Sequence, residues 1–331
     1  MIEKMEGKMG FIEELKSKVS AQCPSIVFPE GEDERILGAC VRLQEEKILA
    51  PVVLGNIDEI KKTAQEKGLN IDNLAVIDPL NYDDIDALAD AFVERRKGKI
   101  DKEGALEMLK NPNYFGTLLV YTGRAAGMVS GAVHTTGETV KPALQIIKTK
   151  EGFKRTSGLF VMLRGDEQYL MSDCAINLEM DAPTMAEVAV ITDMTGKQFG
   201  MDPHVAMLSF STKGSAKSDE VTMVQEATAL VKENHPEIKI DGELQFDAAF
   251  VDTVAKKKAP GSPVAGRANT FIFPNLAAGN IGYKIAQRFG GFEAIGPILQ
   301  GLNHPVNDLS RGCNEDEVYS LSIITAAQAI L

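Results

Sequence analysis

Near the end of the chain, Ser310, Arg311, Gly312, Asp316 and Glu317 bring a hydroxyl, a guanidinium, a glycine and two carboxylates into one short stretch. The serine can donate a hydrogen bond. The arginine can fork onto a phosphate at two points, which a lysine cannot. The glycine lets the backbone approach a ligand closely. An apolar helical pattern follows from Asn314, so free N–H groups and the positive end of a helix dipole suit an anion here. Asp316 or Glu317, in the first turn of that helix, can serve as a general base. The same residues also fit a plain structural role. Asn314 and Glu317 have the spacing of a capping box, and Ser310-Arg311 fits an ordinary polar turn.

Other segments offer weaker signals. His134-Thr135-Thr136-Gly137 follows a predicted strand, where open α/β sheets bind ligands, but a threonine-rich turn capping a helix explains it too. Ser211-Thr212-Lys213-Gly214-Ser215 has the chemistry of a phosphate cradle without the spacing of a P-loop, and a solvated connection is the plainer reading. Gly261 to Ala268 has Walker-type glycine spacing but ends Arg267-Ala268 and follows a helical pattern, so it is set aside. The glycines of Gly279-Asn280-Ile281-Gly282-Tyr283-Lys284 admit a close ligand or a close helix equally well. Cys313 reads as a small packing residue rather than a nucleophile. His134, His204, His235 and His304 form no HxH or HExxH pattern, so no metal site is predicted.

These groups need a scaffold, and the hydrophobic pattern supplies one. Strands are predicted at Ser25–Phe28, Pro51–Gly55, Leu74–Ile77 and Gly127–His134, with helices at Glu13–Val19, Arg35 to about Glu46, Asp58–Lys67, Asp83 to about Lys97, Lys102–Leu109 and Tyr114–Met128. A further helix holds Lys141 and Pro142. Beyond a hinge at Lys148–Gly152, Ser157–Leu163 and Gln168–Ile176 read as paired strands. Asp181 caps a helix to about Phe199. Strands at His204–Phe210, Asp241–Leu244, Asn269–Phe273 and Ala294–Leu299 alternate with helices at Glu220–Lys232, Asp247–Lys257 and Leu276–Phe289, and Ala294–Leu299 is read as the last strand. Strand and helix alternating in this way means βαβ units and a parallel sheet.

The chain has 331 residues, more than one core usually serves, so two domains are predicted. A net charge of −12 argues against nucleic acid as a partner, while a locally basic cleft can still attract small anions. No apolar run is long enough to cross a bilayer. Met1–Lys8 is charged on both signs and lacks the apolar core of a signal peptide. Cys23, Cys40, Cys174 and Cys313 show no CxxC spacing and fit reduced thiols. A cytoplasmic protein is the expectation.

Pro305-Val306-Asn307-Asp308-Leu309-Ser310-Arg311-Gly312-Cys313 resembles the C-terminal signature of the phosphotransacetylase family, the phosphate acetyl/butyryltransferases. The likeness runs along nearly the whole chain: Phe28–Arg35, Pro142–Thr149, Val205–Ser215 and Phe273–Asn280 are similar to family segments as they stand. The resemblance implies an α/β fold of two α/β domains flanking a cleft, like the isocitrate/isopropylmalate dehydrogenases. One domain would span 1–148 and 302–331, completed by the C-terminal helix, and the other 149–301. It implies a homodimer, no tightly bound cofactor, and coenzyme A and acetyl-CoA as substrates in acetyl-CoA + phosphate ⇌ acetyl phosphate + CoA.

The resemblance also assigns roles. Ser310 and Arg311 would hold the acyl phosphate. Glu317, seven positions after the serine, stands where the family pattern has aspartate as base for the CoA thiol, and Asp316 is the neighbouring alternative. Arg35, Arg96 and Arg288 carry over as contacts to CoA or phosphate. Lys141 replaces the family's arginine before Pro142, keeping the charge but losing the fork. Thr135, Thr136, Tyr283, Lys284 and Asn307 complete the expected substrate-binding set. The chemistry is consistent, because a thiol of pKa about 8.5 is mostly protonated at neutral pH and a base helps make the thiolate. Phosphate leaves readily, so alignment and charge stabilisation matter most, and direct attack in a ternary complex is favoured. Three rivals stand beside this reading. They are a phosphate butyryltransferase-like enzyme, a hydroxyacid oxidoreductase of the same fold group (without a GxGxxG), and a catalytically weak binding protein suggested by Lys141 and Glu317.

Overall fold

The computed structural model describes residues 10–331, and the charged Met1–Lys8 stretch lies outside the described residues. Its strands are β1 (Ser25–Phe28), β2 (Ala50–Leu54), β3 (Ala75–Ile77), β4 (Gly127–Ser130), β5 (Ser157–Arg164), β6 (Glu167–Ser172), β7 (Val205–Leu208), β8 (Ile240–Leu244), β9 (Thr270–Ile272), β10 (Glu293–Gln300) and β11 (Val306–Asp308). They form two sheets. One has the order β11-β4-β1-β2-β3 and is parallel throughout. The other has the order β10-β5-β6-β9-β7-β8; its β10/β5 and β5/β6 pairs are antiparallel and the rest parallel.

The helices are α1 (Phe11–Ser20), α2 (Glu34–Glu45), α3 (Ile57–Lys67), α4 (Ile85–Arg96), α5 (Lys102–Met108), α6 (Pro112–Tyr121), α7 (Thr136–Ile146), α8 (Ala182–Gln198), α9 (Asp219–Asn234), α10 (Phe246–Phe250), α11 (Asp252–Lys258), α12 (Leu276–Arg288) and α13 (Glu315–Ile330). Their starts follow the sequence. Asp33, Asn56, Asp101, Asn111, Asp181, Ser218 and Asn275 each accept a first-turn N–H at an N-cap. Thr135 with Glu138, and Asn314 with Glu317, form full capping boxes.

The central strands are apolar because both faces are covered: Ile26, Val27 and Phe28 of β1 are fully buried. One apolar core runs from Ile26, Phe28 and Val129 of the parallel sheet, through Ile323, Ile324 and Ala327 of α13, to Leu159, Val161, Ile295 and Ile298 of the mixed sheet. Buried side chains of this size contribute about 1.5–3 kcal/mol each. The C-terminal helix is therefore sandwiched between the sheets, which explains why every residue from Val318 to Ala327 is buried, with Ser322 and Thr325 donating back to the Val318 and Leu321 carbonyls.

Three predicted elements differ. The helix expected from Tyr114 to Met128 ends at Tyr121, because Gly123 takes φ +73° and turns the chain into β4. The helix expected over Asp247–Lys257 is two short ones, broken where Val251 adopts extended backbone. Ala294–Leu299 is not the last strand, since β11 follows it and carries the signature into the parallel sheet.

Candidate active site

Parallel strands place the loops that follow them on one edge, where open α/β sheets bind ligands. The β1–α2, β4–α7 and β11–α13 loops thus lie side by side, because β4 pairs with both β1 and β11. Facing them are α12 and β10. Between them lies a cleft of about 350 Å³. Ser310, Gly312, Cys313 and Glu317 line one wall, and Tyr283, Lys284 and Arg288 the other. Phe160, Ile295, Pro297 and Leu309 make the cleft apolar at one part. Tyr283 stacks on Phe160 at 3.9 Å between ring centroids, and burial raises its phenol pKa.

Glu317 does two things at once. Its Oε2 accepts from the Asn314 N–H at 3.0 Å, completing the capping box, while its side chain faces the cleft beside Ser310. Asp316 points elsewhere: its Oδ1 pairs with Arg42 at 2.8 Å, and Arg42 also holds Glu315. Arg311 is exposed and makes no side-chain hydrogen bond among the described residues; it lies close enough to Glu138 to help the Thr135 hydrogen bonds keep that carboxyl ionised. Burial pushes the Cys313 thiol up to about 11, so it is an inert packing group beside the site.

The β4–α7 loop is held from below. The buried Glu30 carboxylate accepts from the backbone N–H groups of Gly131, Ala132, Val133 and His134 at 2.8–3.0 Å and meets His134 Nδ1 at 2.8 Å. Burial alone would raise the Glu30 pKa, but these donors bring it below the ordinary value; Glu30 in turn raises that of His134. Thr135 is spent in its capping box, donating to Glu138 at 2.8 Å. Thr136 donates to Asp308 Oδ2 at 2.6 Å. Lys141 is exposed midway along α7, and Arg96 ends α4; neither lines the cleft.

Two expected substrate contacts have their polar groups engaged within the protein. Asn307 is fully buried, with Oδ1 accepting from the Leu299 N–H at 2.7 Å and Nδ2 donating to Thr325 and Gln328 at 2.8 and 2.7 Å. It ties β11 to β10 and α13 and has no polar group left for a ligand. Arg35 spends its guanidinium on protein acceptors: Asp33 and the carbonyls of Ala132, Arg311 and Cys313. The Ser211–Ser215 loop is likewise filled by its own chain, with Glu243 accepting from Ser211 and the Gly214 N–H at 2.9 and 2.7 Å. In Gly279-Asn280, packing is the reason for the glycine, since a Cβ there would sit 2.2 Å from the Asp173 carbonyl oxygen.

The sequence reading missed Glu30, Asp33 and Asp308 as site-shaping residues. The acidic run Glu30–Glu34 was a signal for the first two. Among the described residues, no group of three or more His, Cys, Asp or Glu side chains is placed to hold a metal.

The sequence profile of the phosphate acetyl/butaryl transferase family matches residues 10–326. The chain belongs to this family. It is 60% identical over 321 residues to a phosphate acetyltransferase of Staphylococcus epidermidis, covering 96% of this chain and 98% of that one. The solved structure of a phosphotransacetylase from Staphylococcus aureus superposes with a TM-score of 0.92 at 57% identity, covering 97% of this chain and 98% of that one. A 4-hydroxythreonine-4-phosphate dehydrogenase from Burkholderia phymatum, at 11% identity and TM-score 0.54 over 92% of this chain and 98% of that one, shares the fold. The fold of this family member is therefore the dehydrogenase-like arrangement of two α/β layers systems around a cleft.

Proposed function

We propose that this family member catalyses acetyl-CoA + phosphate ⇌ acetyl phosphate + CoA by direct attack of the CoA thiolate on the acyl carbon, with both substrates in the cleft. The observation that carries the reading is Glu317 beside Ser310 on one wall, with Lys284 and Arg288 opposite. Glu317 takes the thiol proton. Arg311, with no protein partner among the described residues, holds the phosphoryl oxygens, and Ser310 and the α13 N-terminus add hydrogen bonds where charge develops. No tightly bound cofactor or metal enters this scheme.

The CoA tail follows α7 in this reading. Gly137, Lys141 and Leu144 form its exposed stripe, a path of roughly 10 Å at helical rise, and Lys148 lies exposed just past the helix end. At its far end Lys148 meets Arg95, Lys97, Arg96 and Lys99, whose charges lower its pKa. A cluster of that kind in an acidic protein is a seat for phosphates, and it gives Arg96 and Lys141 their role. The chain is read as two α/β domains, 1–148 with 302–331 and 149–301. We also propose a homodimer. Phe246, Phe250, Ile285 and Phe289 leave an apolar face on α10 and the C-terminal end of α12, with Phe289 91% exposed, and a second copy would cover it. The free thiols and the CoA substrate fit the cytoplasm.

Thioester formation from acetyl phosphate and CoA tests the assignment through Glu317→Gln and Asp316→Asn. The first variant is expected to lose about 100-fold or more in kcat, the second less than about threefold. The reverse ranking would move the base to Asp316, and a silent wild-type enzyme would refute the reaction.

A further inference from the structure

We propose that Arg35 is a positioning residue: it locks the Ser310–Cys313 loop into its working pose from inside the protein and does not touch substrate. This rests on the reaction proposed above. A guanidinium has five N–H donors. Here Nε and Nη2 fork onto Asp33 at 2.9 and 2.8 Å, Nη2 also donates to the Ala132 carbonyl at 2.8 Å, and Nη1 donates to the Arg311 and Cys313 carbonyls at 2.9 Å each. All five are spent, so a bound anion would have to displace one of them.

The acceptors sit on three different loops. Asp33 caps α2 after β1, Ala132 follows β4, and Arg311 and Cys313 follow β11. Arg35 thereby ties together the ends of three adjacent parallel strands. Its grip on the third loop falls on either side of Gly312, whose own N–H is turned to Ser310 Oγ at 3.3 Å. The carbonyls it holds fix the direction of the peptides on either side of Gly312, and with them the loop that presents Ser310 to the cleft. Asp33 keeps the fork in place: burial would raise its pKa, yet the Arg35 hydrogen bonds hold it below the ordinary value. Glu30 anchors the middle loop by its N–H groups while Arg35 takes a carbonyl of the same loop. A lysine brings the charge but one point of attachment, so it cannot bridge three loops.

The test compares wild type, Arg35→Lys and Arg35→Gln as full-length protein. Steady-state thioester formation is read with acetyl phosphate and with CoA or CoA lacking its 3′-phosphate. Hydrogen exchange of the 131–134 and 310–314 segments is read without substrate. The expected result is a fall in kcat of about 30-fold or more in both variants, with each KM within about threefold and lysine no better than glutamine. Exchange should quicken in those two segments and not in α8 or α9. A KM for CoA raised about tenfold or more at unchanged kcat, relieved by lysine or by removing the 3′-phosphate, would make Arg35 a substrate contact and overturn the proposal. Unchanged exchange at 310–314 would overturn it as well. Wild-type turnover tests the reaction itself, while the exchange data judge the clamp even if that reaction fails and even if the glutamine variant does not fold.

Discussion

Asp308 lies two residues before Ser310, with 1% of its surface exposed. Burial pushes its carboxyl up to about 6, against the Thr136 and Thr139 hydroxyls that favour the charged form, and Glu30 adds a like charge. Its Oδ1 has no hydrogen-bond partner among the described residues. A carboxyl whose folded pKa lies above its unfolded value binds its proton more tightly when folded. Its ionisation therefore costs stability, fully above about pH 6 and not at all below about pH 4. Asp308→Asn removes that cost and keeps the shape. Its stability relative to wild type is expected to improve by roughly 1–3 kcal/mol between pH 4.5 and 7.5, read as the difference in melting free energy at the two pH values. A difference that does not change with pH would show that Asp308 titrates normally. Glu317 and Asp316 illustrate the same scale from the other side. Adjacent in sequence, they point to the cleft and to Arg42 respectively, because successive residues on a helix face about 100° apart.

At the scale of elements, α12 matters because it brings Tyr283, Lys284 and Arg288 to the cleft. It can sit that close to the mixed sheet only through Gly279, where a Cβ would meet the Asp173 oxygen at 2.2 Å. Gly279→Ala is expected to cost about 1–3 kcal/mol and to raise the KM for CoA as α12 shifts outward. A melting temperature and KM both equal to wild type would mean that the helix is free to move. The sequence made most of these elements legible, since strand–helix alternation and caps such as Asp33 and Asn314 act locally. It also pointed to Ser310 and Arg311 in a loop with Glu317 in the first turn of the helix that follows. What it could not show was which polar side chains the fold uses up. Asn307 and Arg35 look like ligand groups in the sequence, but their partners, Leu299, Thr325 and Gln328 in one case and Ala132 and Cys313 in the other, become neighbours only through sheet order and the packing of α13. Nor does periodicity reveal β11, whose three residues carry the polar Asn307 and Asp308, unlike the equally short but apolar β3.

The molecule as a whole brings two separately built walls to one cleft. The parallel sheet supplies Ser310 on its strand-end loop and Glu317 in the first turn of α13, and the mixed sheet supplies α12 and β10. Asn307 and α13 join the two sheets from behind, so the walls are set at a fixed depth by a shared core. Such a cleft has room for an acyl phosphate and a thiol together, and burial pushes the Cys313 thiol beside it up to about 11, which disfavours that residue as an acyl carrier. The central claim, as proposed above, is a single transfer between two bound substrates. It is tested most directly by following labelled phosphate into acetyl phosphate, with and without CoA. The account predicts exchange only when CoA is present. Exchange of equal speed without CoA would require an acyl group held on the protein and would contradict it.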